Sequence, residues 1–132
     1  MSIPTLRWLE PPAGPAIELI DQTRLPATET VVTCTDVPEL VGAIKRLAVR
    51  GAPMLGIAGA YGVALAAARG DDVEEAAAAI AAARPTAVNL GWGARRALGA
   101  YQRAVTDSDS AVQRDAPGAA VREARSIAEA DE

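Results

Sequence analysis

From Asp36 onward, residues that start and stop helices recur at intervals of about one helix length, and this pattern constrains the fold more than any other feature of the sequence. Asp36 is followed three positions later by Glu39, and Asp72 by Glu75; both pairs are typical of the amino end of a helix. Glycine and proline separate the apolar stretches that have helical spacing. The predicted helices run from residue 36 to Gly51, from Pro53 to Gly70, from Val73 to Ala83, from Ala87 to Val105 with Thr86 as its cap, and from about Ala119 to Ala130.

The first 35 residues have a different pattern, that of short strands joined by turns. Leu6–Leu9 and Ala16–Ile20 alternate in part between apolar and polar side chains, and Thr30–Cys34 is rich in β-branched residues. The predicted fold class is therefore α+β: a small antiparallel β-sheet in residues 1–35, followed by a helical bundle in residues 36–132, together one domain. The short connections between helices predict that successive helices run antiparallel.

The hydrophobic core must be built from aliphatic side chains. Half of the chain is hydrophobic, but only 3% is aromatic and there is no phenylalanine. Alanine buries little area per residue, so alanine-rich helices must pack closely to gain stability from burial. We therefore expect close helix packing, and a domain that relies in part on a neighbour for its stability.

Charge and missing residue types argue against several classes of function. The net charge of -4 argues against a nucleic-acid-binding surface. The chain has no histidine, the commonest metal ligand, and its single cysteine, Cys34, excludes an internal disulfide and favours a cytoplasmic location. The first residues do not resemble a signal peptide. The most apolar run, Met54–Ala68, is shorter than the ~20 residues of a bilayer span, so we expect no membrane partner.

The segment around Arg50 is the first candidate for chemistry. One predicted helix ends at Arg50 and Gly51, and the next begins at Pro53, whose missing N–H costs nothing there. The free amides of a helix start favour an anion, and a guanidinium beside them adds charge-assisted hydrogen bonds to a phosphate. The same spacing is also typical of an ordinary helix–turn–helix junction with a surface arginine, and spacing alone favours that simpler interpretation.

Arg84 occupies a similar position, before Pro85 and another predicted helix start. The two junctions would share one anion if their helices were neighbours, whereas the alternative is a helix boundary with an exposed arginine. Asn89 and Trp92 are interpreted as packing or capping residues. Cys34 lies in an apolar, β-branched setting with no cationic run nearby, so we expect an inert, half-buried thiol.

Four segments, in order, resemble the family of methylthioribose-1-phosphate isomerases. Residues 17–26 resemble its LLDQTxLP motif, residues 49–62 its VRGAPAIGIAAAYG motif, and residues 84–90 match its RPTAVNL motif. Arg7-Trp8 fits an IRW motif near its start. Together the four segments cover residues 7 to 92. The family is related to ribose-1,5-bisphosphate isomerases and to regulatory subunits of the translation-initiation exchange factor.

The resemblance implies an aldose–ketose isomerase that converts 5-methylthioribose 1-phosphate to 5-methylthioribulose 1-phosphate in methionine salvage. It implies an N-terminal domain of strands and a helical bundle, a Rossmann-like C-terminal domain, an active site between them, no metal or nucleotide cofactor, and a homodimer. The residues that would contact the substrate, chiefly its phosphate, are Arg50, Gly51, Ala52 and Arg84.

The family's catalytic cysteine and aspartate lie in the C-terminal domain, and Cys34 does not occupy the motif of that cysteine. We therefore expect no catalytic residue in this chain and no turnover by the chain alone. The chain stops at the end of a predicted helix, which suggests truncation. Two alternatives remain: an isomerase of ribose 1,5-bisphosphate, and a non-catalytic regulatory or assembly module like the exchange-factor subunits. The presence of both Arg50 and Arg84 argues against the second.

Overall fold

The computed structural model describes residues 6–20, 31–46 and 52–130 and has the predicted α+β architecture, an antiparallel sheet followed by helices. The sheet order is β1-β2-β3, both pairs are antiparallel, and Ile17 lies opposite Trp8 on one side and Cys34 on the other. The strands are β1 (Leu6–Leu9), β2 (Ala16–Ile20) and β3 (Val31–Cys34). The helices are α1 (Val37–Lys45), α2 (Ala52–Arg69), α3 (Val73–Ala83), α4 (Val88–Val105), α5 (Ser110–Arg114) and α6 (Ala116–Ala130).

The boundaries of α3 agree with the prediction, whereas α1 is shorter than predicted. Asp72 caps α3 by accepting from the backbone amide of Glu75, and Asp36 caps α1 in the same way through Glu39. The first helix was predicted to continue to Gly51, but α1 ends at Lys45 because the chain leaves helical geometry at Arg46. Residues 47–51 lie outside the described residues.

Three further boundaries differ from the prediction. Thr86 does not cap α4, because a turn in which the Ala87 amide donates to the Arg84 carbonyl puts Ala87 at the cap position. The interval between Val105 and Ala119, where no helix was predicted, contains α5, and Asp109 caps this helix by accepting from the Ala111 amide. The last helix begins at Ala116 rather than Ala119, because proline in a first helical turn does not break a helix.

Helix α2 is the centre of the core. Every residue from Leu55 to Ala67 is buried, and α3, α4, α6 and the sheet all pack against this helix. By length and composition alone α2 is long and apolar enough to cross a membrane, but 72% of it is buried inside the fold. Core helices pass the same test, so the apolar character of α2 is accounted for by packing.

Glycines allow α2 and α4 to touch along their backbones. A Cβ on Gly93 would overlap the carbonyl oxygen of Gly56, and a Cβ on Gly59 would overlap that of Leu90. The start of α4 is hydrogen-bonded to the start of α2, and Gln102 near the end of α4 is hydrogen-bonded to Glu74, which follows the end of α2, so the two helices run in the same direction. Because α3 returns the chain between them, α2 and α4 begin side by side at one end of the bundle.

Candidate functional site

A cavity of about 390 Å³ lies where α2 and α4 begin. It is formed by the first turn of α2, the end of α3, and the turn that leads into α4. Arg84 supplies the one charged side chain among the described lining residues, so the cavity carries positive charge with no carboxylate opposing it. The lining residues are Ala52, Leu55, Arg84, Thr86, Ala87, Val88 and Asn89.

Arg84 is placed by the end of α3. It is the C-cap residue of that helix, its side chain is partly buried, and its carbonyl accepts the Ala87 amide at 2.9 Å, which turns the chain toward α4. Within the part of the chain that the structure describes, Arg84 forms no ion pair, whereas Arg96 is paired with Glu123 at 2.6 Å. The Arg84 guanidinium is therefore available to an external anion.

The start of α4 carries no capping side chain. Its N-cap is Ala87, which makes no side-chain cap hydrogen bond, and the first turn holds no acidic residue. The exposed amides of a helix start carry partial positive charge, and the side chain of a Ser, Thr, Asn or Asp cap commonly accepts a hydrogen bond from one of them. Here that positive end adjoins the Arg84 guanidinium, and together the two groups favour a negatively charged ligand.

Asn89 joins the two helix starts. Its side-chain Nδ2 donates to the carbonyl oxygen of Ala52 at 3.2 Å, which links the first turn of α4 to the first residue of α2. The sequence interpretation as a packing or capping residue missed this bond. The sequence does show a polar amide in the first turn of a predicted helix and a glycine-rich helix before it. That pattern does not identify Ala52 as the acceptor, because Ala52 lies 37 positions away in sequence.

The structure brings two of the four predicted binding residues together. Ala52 and Arg84 line the same cavity. Arg50 and Gly51 lie outside the described residues, so their contacts with a phosphate stay predictions.

An apolar surface continues from the cavity along α4. Val88 is 75% exposed and Trp92 is 41% exposed, with the Arg96 guanidinium 5.2 Å from the Trp92 ring centre. A second cavity of about 260 Å³ adjoins it, lined by Pro53, Gly56, Asn89, Trp92, Ile127 and Ala130. Asn89 thus lines both cavities.

Cys34 is not a nucleophile in this fold. The side chain is fully buried rather than half-buried, and burial raises the pKa of its thiol from 9.0 to about 11, with the Glu39 carboxylate adding to the rise. The thiol therefore stays protonated at neutral pH, in line with the inert role that we expected.

The opposite end of the bundle has a cavity of the opposite character. About 440 Å³ in volume, it lies where α1 and α3 begin, and its charged lining residues are Asp36, Asp71, Asp72 and Glu75 with Arg69. No group of three or more residues able to hold a metal ion occurs within residues 6–20, 31–46 and 52–130.

The chain belongs to the initiation factor 2 subunit family, whose model matches residues 48–132. Its curated relatives include methylthioribose-1-phosphate isomerases. That of Pelotomaculum thermopropionicum is 45% identical over 103 residues, covering 71% of this chain and 28% of the relative. That of Synechococcus sp. CC9605 is 41% identical over 119 residues, covering 85% of this chain and 34% of the relative.

Two solved structures have the same fold. The 5-methylthioribose 1-phosphate isomerase from Pyrococcus horikoshii superposes with a TM-score of 0.79 at 30% identity, over 95% of this chain and 35% of that one. A structure described as translation initiation factor eIF-2B, subunit delta, from A. fulgidus gives a TM-score of 0.78 at 42% identity, over 98% of this chain and 38% of that one. The chain spans about a third of the length of the curated relatives it matches.

Proposed function

We propose that this chain forms the phosphate-binding side of an isomerase that converts 5-methylthioribose 1-phosphate to 5-methylthioribulose 1-phosphate, as in methionine salvage. The observation that carries the proposal is the cavity at the starts of α2 and α4, where Ala52 and Arg84 meet beside an uncapped helix start. The identity of the proposed substrate is taken from the relatives, which are methylthioribose-1-phosphate isomerases.

The proposed role is positioning. A phosphate monoester is doubly charged near neutral pH, and a guanidinium with helix amides holds such a group in a fixed orientation. Fixing the phosphate restricts the sugar carbons to the place where hydrogen transfer occurs, which lowers the entropic part of the barrier. In this proposal Arg50 and Gly51 complete the phosphate contacts begun by Ala52 and Arg84.

The groups that transfer hydrogen are proposed to lie outside these 132 residues. Among the described residues, the one cysteine is buried and protonated, and the acidic cluster lies at the far end of the bundle. We therefore expect the chain alone to be inactive. We also propose a cytoplasmic homodimer as the working assembly, with no metal or nucleotide cofactor and no nucleic-acid or membrane partner.

A chimera tests the proposed function. This chain replaces the corresponding N-terminal segment of the Pelotomaculum thermopropionicum isomerase, and turnover of 5-methylthioribose 1-phosphate is measured for the chimera and for the chain alone. We expect turnover by the chimera and none by the chain. Arg84→Ala in the chimera should raise KM by about tenfold or more, since a hydrogen bond to a charged group contributes about 1.5–3 kcal/mol.

Arg69→Ala is the matched control, because Arg69 lies at the far end of α2 beside Asp71. It should leave KM unchanged. A chimera that melts at the temperature of the parent enzyme, yet has no activity or is indifferent to Arg84→Ala, would refute the proposal. Turnover by the chain alone would refute the expectation that the catalytic groups lie elsewhere.

The same chimera and its variants also distinguish the proposed function from two alternatives. The 42% identity to the structure described as an initiation factor subunit favours a regulatory or assembly module as the second candidate. Such a module needs no phosphate site, so phosphate binding that depends on Arg84 would argue against it. An isomerase of ribose 1,5-bisphosphate is the other alternative, and comparing kcat/KM of the chimera on the two sugar phosphates decides between them.

A further inference from the structure

Asn89 is the one described side chain that hydrogen-bonds the start of α4 to the start of α2. The bond runs from its Nδ2 to the carbonyl oxygen of Ala52, at 3.2 Å. Ala52 is the first residue of α2, and Asn89 is the second residue of α4. Both residues line the cavity that also contains Arg84.

The glycine contacts between α2 and α4 do not by themselves fix the helix ends. Gly56 against Gly93 and Gly59 against Leu90 set how closely the backbones approach, through non-directional packing. A hydrogen bond weakens steeply when its geometry departs from linear, so it also fixes direction. The Asn89 amide therefore sets the place of the first turn of α2 relative to the turn that carries Arg84.

The bond leaves backbone structure intact. A carbonyl oxygen has two lone pairs, so Ala52 can accept from Asn89 and from its own helix together. Asn89 is exposed, which means that its amide gains little from burial and that its loss creates no core cavity. Removing the side chain should therefore alter placement at the cavity far more than it alters folding.

We propose that Asn89 is a positioning residue for anion binding: it holds the first turn of α2 at the distance from Arg84 at which one phosphate group contacts both. This inference rests on the proposed function, because it assigns a role within that phosphate site. The Asn89 side chain acts through the Ala52 backbone and is not assigned a contact with the substrate.

The test measures binding of inorganic phosphate and of 5-methylthioribose 1-phosphate to this chain by calorimetry. The variants are Asn89→Ala, Arg84→Ala and the matched control Gln102→Ala. Gln102 is also an exposed amide on α4, and its Nε2 donates to Glu74 of α3 at 3.1 Å, away from the cavity. Asn89→Ala should weaken binding about three- to tenfold, as expected for the loss of one hydrogen bond, while Gln102→Ala leaves it unchanged.

A second readout separates positioning from general loss of structure. The carbonyl carbon chemical shift of Ala52 reports its hydrogen bond directly, and it should move in Asn89→Ala and not in Gln102→Ala. Asn89→Asp keeps the size of the side chain but cannot donate, so it should move the same Ala52 signal. The melting temperatures of Asn89→Ala and Gln102→Ala should agree.

The outcomes distinguish this inference from the function on which it rests. If wild type binds phosphate, Arg84→Ala weakens that binding and Asn89→Ala does not, the positioning role is wrong and the phosphate site stands. If Asn89→Ala lowers the melting temperature well below that of Gln102→Ala, Asn89 is structural and the inference is likewise wrong. If wild type binds neither ligand, the phosphate site itself is refuted, and this inference with it.

Discussion

The two ends of the helical bundle each bring two helix starts together, but they satisfy those starts in opposite ways. Where α1 and α3 begin, Asp36 and Asp72 accept the exposed backbone amides at 2.9 and 3.0 Å. Where α2 and α4 begin, Ala87 stands at the cap of α4 without a side-chain bond, and Arg84 lies in the same cavity.

This difference shows how one kind of local structure serves two purposes. A carboxylate cap occupies the amides and repels anions. The end of the bundle where α1 and α3 begin, called the acidic end below, therefore stabilises the fold and does not favour binding of a phosphate. A helix start without such a cap lacks that stabilisation, but its backbone amides remain available to a ligand. The predictions below test this contrast, from the largest expected effect to the smallest.

Forcing α2 and α4 apart should have the largest effect on stability. A Cβ on Gly93 would overlap the Gly56 backbone, which cannot move without moving α2. We expect Gly93→Ala to lower the free energy of unfolding by about 3 kcal/mol, as for severe overpacking, and to weaken phosphate binding. Urea unfolding measures the change in the free energy of unfolding, and calorimetry measures the change in phosphate binding.

Gly42→Ala is the control for that substitution. Nothing lies within 4 Å of a Cβ at this position of α1, so the change should raise the free energy of unfolding by about 0.5–1 kcal/mol. Equal effects of the two substitutions would show that α2 and α4 are not in backbone contact.

Giving the start of α4 a carboxylate cap should make it resemble the capped starts of α1 and α3. Ala87→Asp puts a carboxylate where Asp36 and Asp72 stand in α1 and α3. It should lower phosphate affinity by about tenfold or more, because the new charge occupies the amides and repels the anion. Phosphate titration by calorimetry measures this, and undiminished affinity would mean that the α4 start takes no part in binding.

Removing a cap at the acidic end should cost stability without affecting binding. Asp72→Ala leaves the Glu75 amide without its partner, at an expected cost of about 1 kcal/mol. Thr86→Ala should cost less than about 0.5 kcal/mol, since Thr86 is not a cap. Urea unfolding of both variants checks the contrast, which fails if the two costs are equal.

The smallest effect concerns pH at the acidic end. Hydrogen bonds from the Thr35 hydroxyl and amide lower the pKa of Glu39 below its ordinary 4.5. A lowered acid pKa contributes stability above the unfolded pKa and loses it as the pH falls through the folded value. The effect should be about 0.5 kcal/mol for so exposed a group, and Glu39→Gln should flatten the stability profile below pH 4.5. A profile identical to that of wild type would contradict it.

Sequence patterns predicted the elements whose limits are set locally. Asp72 and Glu75 fixed α3, and the positive φ of 79° at Gly70 ends α2 where glycine was expected to end it. Thr86 was a wrong prediction, because the Arg84–Ala87 turn that displaces it is stabilised by the packing of α3 and α4. The Asn89–Ala52 bond was missed for a related reason: no local pattern reports a contact between helices.

Mapping phosphate onto the backbone amides tests the central claim most directly. Inorganic phosphate is titrated into the nitrogen-15-labelled chain, and amide chemical shifts are followed in wild type and in Arg84→Ala. We predict that the amides of Ala52, Val88 and Asn89 move in wild type only, while those of Glu39 and Glu75, already bonded to aspartates, stay in place. Equal movement at both ends, or movement that Arg84→Ala leaves unchanged, would contradict the account.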